Sequence, residues 1–240
     1  MRRTRTTLLL VAAMLLVALI APARMAQAAG TKRQLPSLSN QEDQRDLNVF
    51  LSNFSESGVC EGLYDKEFVS LFASTQDLAN FAFTNHAQNG GKVEDTRRGK
   101  WNVRVEASKL DALLDRLCGT TVADWEDLNR HSQWFQYYDG YVYTQITNGF
   151  ALYGPAVATR IEGYRKGTLK IYFDAYYYPA AQTRYKIGDG SQYGMTETQL
   201  NRLLGVNGPN RRGYAVVWAN QTQDGWRYTL VSYTLTETLR

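Results

Sequence analysis

The sequence predicts an α+β fold in which N-terminal helices pack on a curved antiparallel sheet. Apolar residues in the first half recur at helical spacing and are bracketed by capping residues. From Trp134 onward the spacing switches to two, in short runs separated by turn residues. Helices followed by successive hairpins put the helices on one face of an antiparallel sheet.

The helices come first. Asn40 is a suitable N-cap, with Asp43 three residues on, for a helix striped by Leu47, Phe50, Leu51 and Phe54 and ended by Gly58. Residues 65–87 suggest two packed helices with a break at Ser74-Thr75, closed by Asn89-Gly90-Gly91. Residues 100–105 alternate and read as a short strand. Ser108 is expected to cap KLDALLDRLC, with Leu110, Leu113, Leu114 and Leu117 buried and Gly119 as the stop. Thr121 opens one further turn.

The strands follow. Residues 134–138 and 141–147 flank Asp139-Gly140, a pair that suits the two left-handed positions of a tight hairpin. Asn148-Gly149 leads to a run over 150–153. Residues 156–164 and 168–178 pair around Arg165-Lys166-Gly167. Thr196 and Gln199 form a capping box for a short helix ended by Gly205. Residues 214–220 and 226–235 make the last hairpin, around Gln223-Asp224-Gly225. Gly149, Gly154 and Gly163 fall where strands would bend. By element order this is analogous to the cystatin-like and NTF2-like folds, in which a cone-shaped sheet wraps helices.

The first residues read as an address. MRRTRTT is basic, residues 8–20 are apolar and uncharged, and Ala26-Gln27-Ala28 is a small-x-small site. That order predicts a signal peptide over 1–28. The apolar run of 13 residues is short of the roughly 20 needed to span a bilayer. Cleavage near Ala28 is favoured over retention as an anchor that borrows residues 21–23. A loose leader over 29–40 and a single α+β domain over 41–240 are expected to follow, secreted and with no stable membrane span.

Charge supports the same division. Residues 1–28 hold four of the 27 Lys and Arg and none of the 23 Asp and Glu, so the remainder is formally neutral. The basicity belongs to the address, and a nucleic-acid role loses its support. In an oxidising compartment a Cys60–Cys118 disulfide is favoured over two free thiols.

Five segments, LNVFLSNFSES (47–57), LANFAFTNHAQNG (78–90), SKLDALLDRLCG (108–119), YYDGYVY (137–143) and WRYTLVSYTL (226–235), occur in an order that resembles a broad set of uncharacterised secreted proteins and lipoproteins of Gram-positive bacteria. The resemblance covers most of the chain after the address. It implies a place in the cell envelope, but no activity and no functional residue. Many members begin with a lipidated cysteine, which this chain lacks.

Signals for chemistry are sparse. His86 sits near a helix end and is expected to cap it. His131, in the polar stretch NRHSQ, is read as having no acid at helical spacing and is expected to carry no chemistry. Two histidines are too few for a zinc site. No serine elbow or phosphate loop is present, so no catalytic residue, metal or cofactor is expected. The richest stretch is IYFDAYYYP (171–179). Alternation puts Leu169, Ile171, Phe173 and Ala175 on the core face and Lys170, Tyr172, Asp174, Tyr176 and Tyr178 on the other. Tyr172, Tyr176, Tyr178 and Asp174 are therefore the candidate binding residues, partly covered by the insertion over 179–213. The expected function is a secreted, non-enzymatic binding or accessory domain of the bacterial cell envelope, engaging an unknown protein or cell-wall polymer. The alternative is an envelope hydrolase working through carboxylates such as Asp174.

Overall fold

The computed structural model describes residues 35–57, 74–97, 99–145, 154–176, 178 and 190–238. Helix α1 (Gln41–Ser55) starts where its capping chemistry predicts. The Asn40 side-chain oxygen accepts from the backbone N–H of Glu42 at 2.9 Å and of Asp43 at 3.2 Å. Before it, the Asn40 N–H donates to the Ser37 carbonyl, and the Ser37 N–H donates to the Asp43 carboxylate at 2.8 Å. The end of the expected leader is thus fastened to α1.

Helix α2 (Thr75–Gln88) is capped by Ser74, whose hydroxyl accepts from the Asp77 N–H at 3.1 Å. This cap is the expected break; the helix expected before it lies outside the described residues. Helix α3 (Ala107–Cys118) differs from expectation at its start. Ser108 lies inside the first turn, and Glu106 in the cap position makes no side-chain cap bond. Instead the Ala107 N–H donates to the Gly140 carbonyl at 2.9 Å. A hairpin turn thus satisfies one of the first-turn N–H groups that have no partner within the helix. Asp111 fastens the loop after α3, accepting from the Val122 N–H and the Trp125 indole, both at 3.0 Å. Two further short helices are α4 (Asp127–His131) and α5 (Glu197–Leu204), the second with the full Thr196–Gln199 capping box.

Strands β1 (Glu94–Asp95), β2 (Val103–Glu106), β3 (Phe135–Tyr138) and β4 (Tyr141–Thr144) form one antiparallel sheet in the order β1-β2-β4-β3. Strands β5 (Ala156–Gly163), β6 (Leu169–Ala175), β7 (Arg211–Thr222) and β8 (Gly225–Thr238) form a second, in chain order. The fold is α+β, with two sheets where one was expected. Helix α3 packs on β2 and on β8, so one helical layer serves both sheets. Asp139 and Gly140 take the left-handed conformation, φ 50° and 78°, between β3 and β4.

The second sheet is curled, because α1 packs on β5 and β8, its two edge strands. Irregular pairing at Ala158/Arg160, Arg212/Gly213 and Val216/Val217 adds local twist. A side chain at Gly213 would collide with the Thr234 carbonyl and the Phe173 ring, so only glycine lets that ring fill the concave face. Phe54 of α1 sits at the centre of the core. Its ring stacks on Phe81 of α2 at 5.3 Å and tilts against Tyr233 of β8 at 5.6 Å. Beyond Val217, where pairing with β6 ends, β7 and β8 pair only with each other. Among the described residues no helix is long and apolar enough to cross a membrane.

The free edge of β5 is closed by side chains of α1. The Asn48 Oδ1 accepts from the Ala158 N–H at 2.8 Å. The Ser52 hydroxyl accepts from the Ala156 N–H at 3.0 Å, and the Ser55 hydroxyl donates to the Gly154 carbonyl at 3.0 Å. Spacings of four and three residues put all three on one helix face, and all three are buried. Replacing Ser52 by Ala leaves the buried Ala156 N–H without its acceptor. The expected loss is about 1–3 kcal/mol, read from the urea midpoint; an unchanged midpoint would show that this edge does not need the helix.

Candidate functional site

The outer face of the second sheet holds the residues singled out from IYFDAYYYP, but not all of them. Tyr172 and Asp174 lie on it, half-buried. Pairing aligns Tyr172 with Arg160 on β5 and with Tyr214 on β7. The Arg160 guanidinium lies 3.8 Å from the centre of the Tyr172 ring, and the Lys170 ammonium 3.8 Å from that of Tyr214. The two rings tilt against each other at 6.2 Å. Lys170 also stands 5.0 Å from the Tyr172 ring and makes no ion pair among the described residues. The Tyr172 hydroxyl donates to Glu162 at 3.1 Å, and Arg160 pairs with Glu162 at 2.9 Å. Tyr164 and Trp218 add two exposed rings to the same face.

Tyr176 does not belong to this surface. β6 ends at Ala175, and Tyr176 is 1 % exposed, packed on Leu200 and Leu204 of α5. The strict alternation assumed for this stretch fails because the strand stops one residue earlier. The Tyr176 N–H pairs with the Pro155 carbonyl, and the side chain turns under α5. Burial pushes its hydroxyl pKa well up, with the Glu197 and Asp174 carboxylates adding to the shift. Tyr178 packs on the same small cluster and donates its hydroxyl to the Gly208 carbonyl at 3.0 Å. The described part of the insertion thus covers two of the three tyrosines.

Asp174 is not a free acid. Arg212, its partner across the sheet, grips both carboxylate oxygens, with Nε at 2.8 Å and Nη2 at 3.4 Å. A two-pronged guanidinium fixes the orientation of a carboxylate, so Asp174 serves as one half of a cross-strand pair.

The histidines fare differently. His86 is in the last turn of α2, half-buried, with Nε2 3.2 Å from the Lys92 carbonyl oxygen. His131 does have an acid at helical spacing: its Nδ1 lies 2.7 Å from Asp127 Oδ1, four residues earlier. Reading NRHSQ as a polar stretch with no acid at helical spacing hid this pair. The hydrogen bond to His131 holds the Asp127 carboxyl below the usual carboxylate range, assisted by Thr75. The Ser74 and Ser132 hydroxyls line a small pocket beside His131 but serve as local caps. No hydroxyl hydrogen-bonds the histidine among the described residues. Among those residues, too, no group of three or more His, Cys, Asp or Glu could hold a metal ion.

A second concavity escaped the sequence altogether. A cleft of about 770 Å³ opens between α1, α3 and the tip of the β7–β8 hairpin. Trp226 and Tyr228 form one wall, stacked at 6.4 Å. Asp46 reaches this tip from α1 and accepts from the Trp226 N–H at 3.4 Å. No local motif marks the cleft, because its walls come from elements nearly 200 residues apart.

No family model, no curated protein and no solved structure matches this chain.

Among the described residues Cys118 is a free thiol; Cys60, its expected partner, lies outside them. Burial pushes the Cys118 thiol pKa up to about 12. In a Cys60→Ser variant, iodoacetamide at pH 8 is expected to label Cys118 roughly a thousandfold more slowly in the native protein than in urea, since the thiolate is the nucleophile. Equal rates in the two states would show an open, unshifted thiol.

Proposed function

We propose that the protein is a secreted, non-enzymatic binding domain of the bacterial cell envelope that holds an anionic cell-wall polymer on the outer face of its second sheet. The observation that carries this reading is Lys170, an ammonium without an acid partner among the described residues, poised over Tyr172 and Tyr214. The surrounding charge agrees. Arg160, Arg165, Lys166, Lys170 and Arg212 cluster on this face or its end turn, against Glu162 and Asp174. Tyrosine rings give contact area while their hydroxyls stay wet, and the cations on them are partly desolvated and strengthened toward an anion. An excess of positive charge beside exposed rings suits a polyol-phosphate or carboxylate-bearing chain. The export signal read from the first 28 residues, and the resemblance to secreted Gram-positive proteins, put such a polymer within reach.

Co-sedimentation with purified walls, before and after removal of their covalently attached anionic polymer, tests the reading. Binding should require the polymer and weaken as salt rises. A Lys170→Ala/Tyr214→Ala double variant should bind at least about tenfold more weakly. Unchanged binding by the double variant, or equal binding to stripped walls, would refute it.

A further inference from the structure

We infer that the end of the second sheet where β6 begins docks on an anionic lipid bilayer. Pairing lines up Gly163, Leu169, Val217 and Leu230 in one row across β5, β6, β7 and β8. Tyr164, Lys170, Trp218 and Val231 each stand one residue from that row. Val231 is the extra residue of the bulge at Val216/Val217. Tyr164, Trp218 and Val231 are 44, 42 and 37 % exposed, so three large apolar groups meet at one end of the outer face instead of being scattered singly.

The cations around them are left to solvent. Arg165 and Lys166 are exposed in the turn between β5 and β6, and with Lys170 they make no ion pair among the described residues. The nearby acids are engaged. Glu162 is held by Arg160 and the Tyr172 hydroxyl, and Asp224 at the hairpin tip faces Arg227 at 3.9 Å. The turn itself is fixed, because the Tyr164 N–H donates to the Thr168 carbonyl at 2.8 Å and the Thr168 hydroxyl to the Arg165 carbonyl at 2.7 Å. Its two cations are therefore held beside the rings.

This combination selects the partner. Trp and Tyr settle at the boundary between headgroups and acyl chains, and Lys and Arg beside them are drawn to anionic headgroups. A hydrated polyanion would use the charges but leave Val231 in water, whereas a bilayer takes up both. Lys170 is common to this surface and to the polymer reading; Trp218 and Val231 are required only here.

Co-sedimentation of the full chain with phosphatidylcholine vesicles, with and without about one-third phosphatidylglycerol, tests the inference. Binding should require the anionic lipid and fall as salt rises. Arg165→Gln/Lys166→Gln should bind roughly 25-fold more weakly, about fivefold for each charge removed. Trp218→Ser should lose at least about tenfold. Residues 1–28 are common to all these proteins, so the differences report on the patch. A polarity-sensitive fluorophore on Val231→Cys, in the Cys60→Ser background, should shift to shorter wavelength on the anionic vesicles and not with purified wall polymer. Trp218→Ser should still bind polymer-bearing walls. Failure of the unaltered protein to bind walls would leave the vesicle results standing, so the two readings fail separately. Equal binding to neutral vesicles, unchanged vesicle binding in the variants, a fluorophore that does not respond to lipid, or loss of wall binding in Trp218→Ser would overturn the assignment.

Discussion

The molecule turns on how the free edge of β5 is satisfied. A sheet edge presents N–H and C=O groups that seek another strand. Here Asn48, Ser52 and Ser55 meet them from a helix. The same helix puts Phe50 and Phe54 against Tyr228 and Tyr233 of β8, the opposite edge. α1 therefore spans the opening of the curled sheet and closes it on both sides. Once that is fixed, the inner face of every strand is committed to the core and the outer faces to solvent. Asp46, one helical turn before Phe50, arrives at the β8 tip as a consequence.

The outer face follows from strand register rather than from any local motif. Arg160, Lys170, Tyr172, Asp174, Arg212 and Tyr214 come from three strands and meet only because β5, β6 and β7 pair as they do. The acids there are taken, Glu162 by Arg160 and Tyr172, and Asp174 by Arg212. What is left toward solvent is aromatic and cationic. The first sheet repeats the device in smaller form: Arg104 lies 4.0 Å from the centre of the Tyr141 ring and pairs with Glu94 at 2.9 Å.

Local grammar was legible in the chain. The caps at Asn40 and Thr196, the stops at Gly119 and Gly205, and the Asp139-Gly140 turn each depend on a few neighbouring residues, and all stand where expected. The α+β class follows from their order. Errors arose where a distant partner decided the outcome. Ser108 lies inside α3 because the helix begins one residue earlier, at Ala107, whose N–H is held by the Gly140 carbonyl of another element. Tyr176 left the tyrosine face because α5 offered it Leu200 and Leu204. Half of the candidate surface was visible as alternation along β6. The other half, Arg160 and Tyr214, required knowing which strands pair. The Asp127–His131 contact was within reach, being four residues apart on one helical turn.

The part of the β7–β8 hairpin beyond Val217 has no third strand beside it. An isolated two-stranded ribbon is marginal in water, so this tip leans on the helices, through the Asp46 contact to the Trp226 backbone and the close approach of Gly119 to Thr229. The aromatic wall of the cleft is thus mounted on the least braced portion of the sheet. Whatever fills that space would act as a splint, joining helix to hairpin and slowing the local opening by which such a ribbon frays.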